Sequence, residues 1–247
     1  MSEPGLAIIT GGSTGIGAAM ARQLHRRGWK LGLIARRAEP LEAIADELGA
    51  GVAWRIADVR HPEDLRLACE ALEDELGPCE LMLANAGVGT PTKVSQLDPV
   101  EVSRIMRINY EGVVNAVAAV LPGMLERGRG QLAATSSYAG WVGLPGVAAY
   151  SASKAAVTSF MESLRCRLRH KGVAVTTLHP GYVRTDLTAD NRFWMPFLLD
   201  VEPFAEKAVR GLLARRREVN VPWQMSIVLG LLRRVPRWLF DRVSRFM

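Results

Sequence analysis

Short aliphatic runs alternate along this chain with longer segments whose apolar residues recur at helical spacing. The runs Leu6–Thr10, Lys30–Ala35, Val52–Ala57, Leu81–Ala84, Gln131–Thr135, Val173–Leu178 and Glu218–Val221 predict strands. Between them the pattern predicts helices near Gly15–Arg27, Pro40–Leu48, Pro62–Leu76, Val100–Arg127, Tyr150–His170 and Pro203–Arg216. Pro40, Pro62 and Pro203 suit a first helical turn, where a missing amide loses no partner. Gly28, Gly49, Gly77, Gly128 and Gly172 fall where helices should stop. The alternation predicts an α/β fold: a doubly wound parallel sheet of about seven strands with helices on both faces, formed by one domain over residues 1–247. Ligands of such sheets gather outside the carboxyl ends of the strands, and most of the polar candidates below fall at or just after those ends.

Composition changes this picture little; the placement of charge changes it more. With 49% hydrophobic and 23% charged residues, the 247-residue chain is ordinary for a globular domain. The net charge is +6, yet from Ala205 onward there are ten Lys and Arg against three Asp and Glu. The body is therefore close to neutral and the C-terminal part carries the excess. The first residues lack the basic start and long apolar stretch of a secretory signal. No uncharged apolar run reaches the roughly 18 residues of a spanning helix, so a cytoplasmic protein is expected. Cys69, Cys79 and Cys166 show no metal spacing and read as buried thiols in a reducing compartment. His25, His61, His170 and His179 show none either, so no metal site is expected.

The chemistry begins with Thr10–Gly17, TGGSTGIG, placed between the first strand and the first helix. Gly11, Gly15 and Gly17 let the backbone turn sharply and approach a pyrophosphate, and the helix start offers free amides to it. No Gly-Lys-Ser/Thr ending follows, which argues against a nucleotide triphosphatase. Farther on, Tyr150 and Lys154 stand four apart on a predicted helix and so share a face. A phenol titrates near pH 10, and bringing it to neutrality takes about 4 kcal/mol. One ammonium at about 4 Å supplies an energy of that order at an effective dielectric of about 20. Lys154 is therefore expected to make Tyr150 a usable acid and base. Taken singly these are ordinary features: a turn, a packed helix face, a serine pair after a strand.

Together they resemble the classical short-chain dehydrogenase/reductase family. TGGSTGIG, Asp58, Asn85-Ala86-Gly87, Asn109, Ser137, the Tyr150/Lys154 pair and Pro180-Gly181 follow that family's order and spacing from Leu6 to about Thr188. The resemblance implies a Rossmann-type sheet and hydride transfer between a nicotinamide and a carbonyl or alcohol carbon. It implies Tyr150 as the acid and base, Ser137 on the substrate oxygen, Lys154 on Tyr150 and the ribose, and Asn109 supporting a proton-relay water. Ser136 is the alternative to Ser137, which has the better spacing from Tyr150. The cofactor contacts it implies are Gly11, Ser13, Thr14, Gly15, Ile16 and Gly17 in the turn, Asp58 and Val59 beside the adenine, and Asn85, Ala86 and Gly87 after the fourth strand. Tyr150 and Lys154 also touch the cofactor on this reading, and Pro180, Gly181, Val183 and Thr185 position the carboxamide. The second strand ends at Ala35, where a carboxylate would favour NAD. Arg36 and Arg37 follow instead, and a guanidinium binds phosphate in bidentate fashion. NADP(H) is thus expected as the preferred cofactor, with NAD(H) as the second choice.

Residues 185–201 include Leu187, Phe193, Trp194, Met195, Phe197, Leu198 and Leu199 and are expected to form a lid over an apolar substrate. Residues 222–247 form a basic amphipathic tail: Val219–Leu232 is uncharged, and arginines follow among aromatics. Such a tail suits packing on a partner subunit or peripheral contact with a membrane; nucleic acid is not expected, since no binding motif accompanies the charge. The resemblance implies a homodimer or homotetramer built on the Val100–Arg127 and Tyr150–His170 helices. Rival readings are an epimerase or dehydratase on the same scaffold, a non-catalytic NADP-sensing protein, and a membrane-recruited binding protein.

Overall fold

The structure, a computed structural model, describes residues 4–189, 194–236, 238 and 242. Seven parallel strands form its centre: β1 (Leu6–Thr10), β2 (Lys30–Ala35), β3 (Val52–Ile56), β4 (Cys79–Ala84), β5 (Gly130–Thr135), β6 (Val173–Pro180) and, at the far edge, β9 (Glu218–Val221). Their spatial order is β3-β2-β1-β4-β5-β6-β9. The chain winds outward from β1 in one direction and returns to β4 on β1's other side, so the crevice of the doubly wound sheet opens at the carboxyl ends of β1 and β4. Val183–Arg184 (β7) and Leu199–Asp200 (β8) pair separately, parallel, outside this sheet.

Both faces of the central strands are covered, which is why they read as unbroken apolar runs. On one face α3 (Pro62–Leu76), α5 (Gly112–Arg127) and α6 (Ala148–Leu168) bury Leu65, Leu72, Val113, Val117, Val157 and Met161 against Ile8, Met82 and Leu132. On the other, α1 (Gly15–His25), α2 (Ala38–Leu48) and α8 (Val201–Leu213) bury Met20, Leu24, Leu41, Ile44, Phe204 and Leu212 against Ile9, Leu31 and Leu83.

The expected helix at Val100–Arg127 has three parts: α4 (Pro99–Met106), a π-helical turn at Arg107–Glu111, and α5. The whole is long and apolar enough to cross a membrane by length and composition. Its apolar stripe instead lies in the core, with Val113, Ala116, Val117, Val120 and Met124 buried. All three prolines lie in a first helical turn, as expected, although two of the helices begin ahead of their proline. Helices α2 and α8 begin at Ala38 and Val201, so Pro40 and Pro203 take the third helical position, still within the stretch that needs no amide donor. Pro62 does open α3. Gly49, Gly77, Gly128 and Gly172 cap helix ends with positive φ. Cys166 is exposed, whereas burial pushes the Cys69 thiol up to about 12 and raises that of Cys79 well above its ordinary value. The remaining elements are α7 (Asp186–Ala189) and α9 (Trp223–Leu232).

Candidate active site

At the mouth of the crevice the chain leaves β1 through Gly11 at φ +63° and enters α1 through Gly15 at φ +53°. A Cβ on Gly17 would stand 2.0 Å from the Gly11 carbonyl oxygen, so no larger residue fits that approach. Thr14 caps α1 by position but makes no side-chain cap bond, and the first turn carries no acidic residue. The amides at the start of α1 therefore keep their positive end for an anion. Ser13 and Ile16 are half-buried beside the exposed Thr14. This open, glycine-lined helix start fits the pyrophosphate of a dinucleotide.

The neighbouring strand ends are tied together by side chains. Thr10 Oγ1 accepts from the backbone amides of Asn85 (3.1 Å) and Ala86 (3.2 Å). Asn85 Nδ2 donates to Gly11 O at 3.2 Å, and its Oδ1 accepts from Thr135 Oγ1 at 3.1 Å. Asn85 thus spans the ends of β1, β4 and β5. After β2, Arg36 is exposed and Arg37 occupies the N-cap position of α2. The Arg60 guanidinium grips the Asp58 carboxylate with contacts down to 2.6 Å and, helped more weakly by Arg36, holds it at about 2. The buried Val59 side chain lies under Gly112, and its carbonyl accepts from Asn115 Nδ2 at 2.8 Å.

The polar cluster stands across the crevice from the glycine turn. Ser137 caps the short helix Tyr138–Gly140, its Oγ accepting from Ala139 N at 3.1 Å, and its hydroxyl stands near enough to Tyr150 to influence the phenol. Tyr150, on α6, is half-buried; burial raises its phenol above the usual value and Ser137 opposes that. Lys154, one turn on, is 3% exposed. Its Nζ donates to Thr135 O at 2.7 Å and stands 5.8 Å from the Tyr150 ring centroid. Burial lowers the ammonium to about 8. The expectation that Lys154 pulls the Tyr150 phenol down is thus not met in this arrangement. The ammonium donates to a β5 carbonyl, and desolvation is the largest influence on the phenol.

Asn109 sits in the π-helical turn, a distortion often found at functional sites. It is fully buried and its amide is engaged by the chain: Oδ1 accepts from Val88 N at 2.8 Å, and Nδ2 donates to Val88 O at 2.9 Å and Ser153 Oγ at 3.0 Å. A Cβ on Gly87 would stand 3.4 Å from both Asn109 Oδ1 and Lys154 Nζ, so Gly87 brings the strand end between them. Ser136, the alternative to Ser137, is buried with its hydroxyl on Lys154 O (2.8 Å) and Thr158 Oγ1 (2.7 Å); it anchors α6 and does not face the crevice.

The segment after β6 closes the other side. Pro180 is buried, Gly181 N donates to Val221 O at 2.8 Å, and the buried Val183 lies in β7. Thr185 stands over the glycine turn, 3.6 Å from where a Gly15 Cβ would be. Leu187 and the Tyr150 ring both come within 3.4 Å of a Cβ built on Gly89, so the start of the expected lid does lie beside Tyr150. Phe193 lies outside the described residues.

Several residues of this site carry no recognisable signal in the sequence. The hydroxyls of Thr10 and Thr135 hold Asn85, the Thr135 carbonyl holds Lys154 and the Ser153 hydroxyl holds Asn109, but isolated threonines and serines in a strand or helix do not announce such partners. Tyr138 is 2% exposed, and its hydroxyl donates to Pro222 O at 2.8 Å and meets Ser226 Oγ at 2.6 Å. With Trp141 and Val142 it packs on Met225, Leu229 and Leu232 of α9. A Cβ on Gly181 would come 2.5 Å from Met225 Sδ. The tail helix therefore rests directly on the two turns that carry Ser137 and Pro180-Gly181. His179 is buried beside them, its Nδ1 accepting from Trp141 Nε1 at 3.2 Å, and burial lowers its pKa.

A family model described as short chain dehydrogenase matches residues 5–196. An uncharacterized oxidoreductase of Myxococcus xanthus is 41% identical across 97% of this chain and 96% of its own. The solved alcohol dehydrogenase of the archaeon Thermococcus sibiricus, complexed with 5-hydroxy-NADP, superposes with a TM-score of 0.80 at 29% identity, over 89% of this chain and 96% of its own. A 3-ketoacyl-(acyl-carrier-protein) reductase from Brucella melitensis, complexed with NADH, gives 0.81 at 27% identity, over 89% and 97%.

Proposed function

The chain belongs to the short-chain dehydrogenase family and is an NAD(P)-dependent oxidoreductase acting on carbonyl or alcohol groups; from that premise we propose that it prefers NADP(H), takes an apolar substrate and uses Tyr150 as its proton donor and acceptor. The nicotinamide supplies or accepts the hydride. The residues of the chain do the rest. Tyr150 gives a proton to the substrate oxygen during reduction, and its raised pKa keeps it protonated for that step. Ser137, beside Tyr150, would hold the same oxygen and steady the charge that develops on it. Lys154, anchored on Thr135 O, would turn its remaining N–H donors to Tyr150 and the ribose, and Asn109 keeps the strand end at Val88 fixed beside it.

The observation that carries the reading is the convergence of Ser137, Tyr150 and Lys154 across the crevice from an uncapped, glycine-lined helix start. The NADP(H) preference rests on Arg36, exposed where β2 ends without a carboxylate, and on Asp58, whose charge Arg60 already neutralises. The Thermococcus neighbour is complexed with an NADP derivative and the Brucella neighbour with NADH, so both cofactors occur on this scaffold. The apolar-substrate reading rests on Leu187 beside Tyr150. Assembly into a homodimer or homotetramer through the helical faces of α4, α5 and α6 completes the proposal.

Replacing Tyr150 with Phe keeps the ring and removes the proton. Carbonyl-dependent oxidation of NADPH should fall by at least about a hundredfold, the lower range for a positioned acid or base. A Tyr150→Phe protein that reduces the same carbonyls at the parent rate overturns the assignment.

A further inference from the structure

Helix α9 is apolar on all sides, yet only one side is covered. Its inner face is held by Met225, Ser226, Leu229 and Leu232 against Tyr138, Trp141 and Val142. On the outer face Trp223, Ile227, Val228 and Leu231 are 63, 54, 47 and 59% exposed. At 100° per residue these four fall within one arc of the helix, and Gln224 between them is uncharged. A helix with an apolar outer face is not expected on a solvated surface. At its end stand the exposed Arg233 and Arg234, followed in sequence by Arg237, Arg242 and Arg245. At its start, Trp223, Pro222 and Gln224 share a cavity of about 520 Å³ with Phe197, Leu198, Lys207, Arg210 and Arg216, placing further cations beside the same face.

We propose that this face docks on an anionic lipid surface, with Trp223, Ile227, Val228 and Leu231 entering the acyl boundary and the surrounding Arg and Lys side chains meeting the lipid phosphates. The charge distribution selects this occupant. From Ala205 onward the chain carries ten basic and three acidic residues, while the remainder is close to neutral. A second copy docked through the same face would bring like charges together, because a two-fold contact pairs a patch with itself. An anionic lipid surface matches both halves of the patch: apolar area for the helix face, negative potential for its border.

The test is flotation of the full-length protein with vesicles of phosphatidylcholine alone or of phosphatidylcholine with phosphatidylserine. The parent protein should co-float with the anionic vesicles at least about tenfold more than with the neutral ones, and less as salt rises, since screening weakens the attraction. The exposed-site variant Ile227→Glu/Leu231→Glu should lower that binding by about tenfold while leaving the melting-temperature rise with NADP⁺ unchanged, which shows that the fold and the nucleotide site are intact. Equal recovery with both vesicle types, or with neither, overturns the proposal. So does a double variant that still floats, which leaves the arginines acting without the helix face. A double variant that turns a dimer into a monomer while neither protein binds lipid assigns the face to a second copy and also overturns it.

Discussion

Lys154 shows how far a buried side chain can be held against its own preference. An amine whose pKa falls on folding binds fewer protons in the folded than in the unfolded state between the two values, so stability rises with pH across that interval. For Lys154 the interval runs from about 8 to the unperturbed 10.5. At neutral pH the buried ammonium therefore costs about 3 kcal/mol, at roughly 1.36 kcal/mol per unit, offset by about 1 kcal/mol from its hydrogen bond to Thr135 O. A Lys154→Met protein should thus be inactive yet, without cofactor, more stable than the parent by about 2 kcal/mol at pH 7. That is about 4–8 °C in melting temperature for a domain of this size. The advantage should vanish above about pH 10.5, where the parent lysine is neutral in both states. A variant that melts lower than the parent at pH 7 would show that the ammonium is not under strain. The sequence makes the shared face of Tyr150 and Lys154 legible through their spacing. It does not show which way the amine points, because its acceptor is a backbone carbonyl of β5, nineteen residues upstream.

At the scale of elements, the tail helix matters most to the site. Tyr138 follows Ser137 directly and anchors α9 through Pro222 and Ser226. Replacing Tyr138 with Phe removes two hydrogen bonds, one to Pro222 O, which keeps the Met225 amide at 3.2 Å, and one to Ser226 Oγ; at about 0.5–1.5 kcal/mol each this costs about 1–3 kcal/mol. The melting temperature should fall by several degrees, and carbonyl reduction should fall with it as the Ser137 turn loosens. Unchanged turnover in a Tyr138→Phe protein would mean that α9 does not position Ser137. Little of this was legible beforehand. The strands of the central sheet were, because burial on both faces leaves aliphatic runs flanked by glycine and proline. The π-helical turn at Asn109 was not: apolar positions continue through it, and only the amide's grip on Val88 shows why the helix widens there. Pairing of β7 with β8 joins two-residue segments, too short to leave a pattern. The tail was readable as apolar and basic, but its seat on Tyr138 depends on a contact across 84 positions of sequence.

The whole molecule divides into a near-neutral body that carries the crevice and a basic end that closes one side of it. That division was fully legible, since charge can be counted without knowing the fold. Choice between the two nicotinamide cofactors is partly legible: it turns on whether a cation stands free at one strand end. Arg36 is exposed there, and Asp58, the nearby carboxylate, is already gripped by Arg60. The thermodynamic consequence is global, because a ligand that binds only the folded state raises stability by RT ln(1 + [L]/Kd). At about a hundred times Kd this amounts to about 2.7 kcal/mol, or about 5–11 °C for a chain of this length. At equal concentrations NADP⁺ should therefore raise the melting temperature more than NAD⁺. On the proposal that Arg36 meets only the additional phosphate, an Arg36→Ala protein should lose that difference while keeping the NAD⁺ shift. If NADP⁺ and NAD⁺ stabilise the parent equally, or if Arg36→Ala weakens both alike, Arg36 does not select the phosphate. The preference would then have to come from Arg37, the other cation at that strand end.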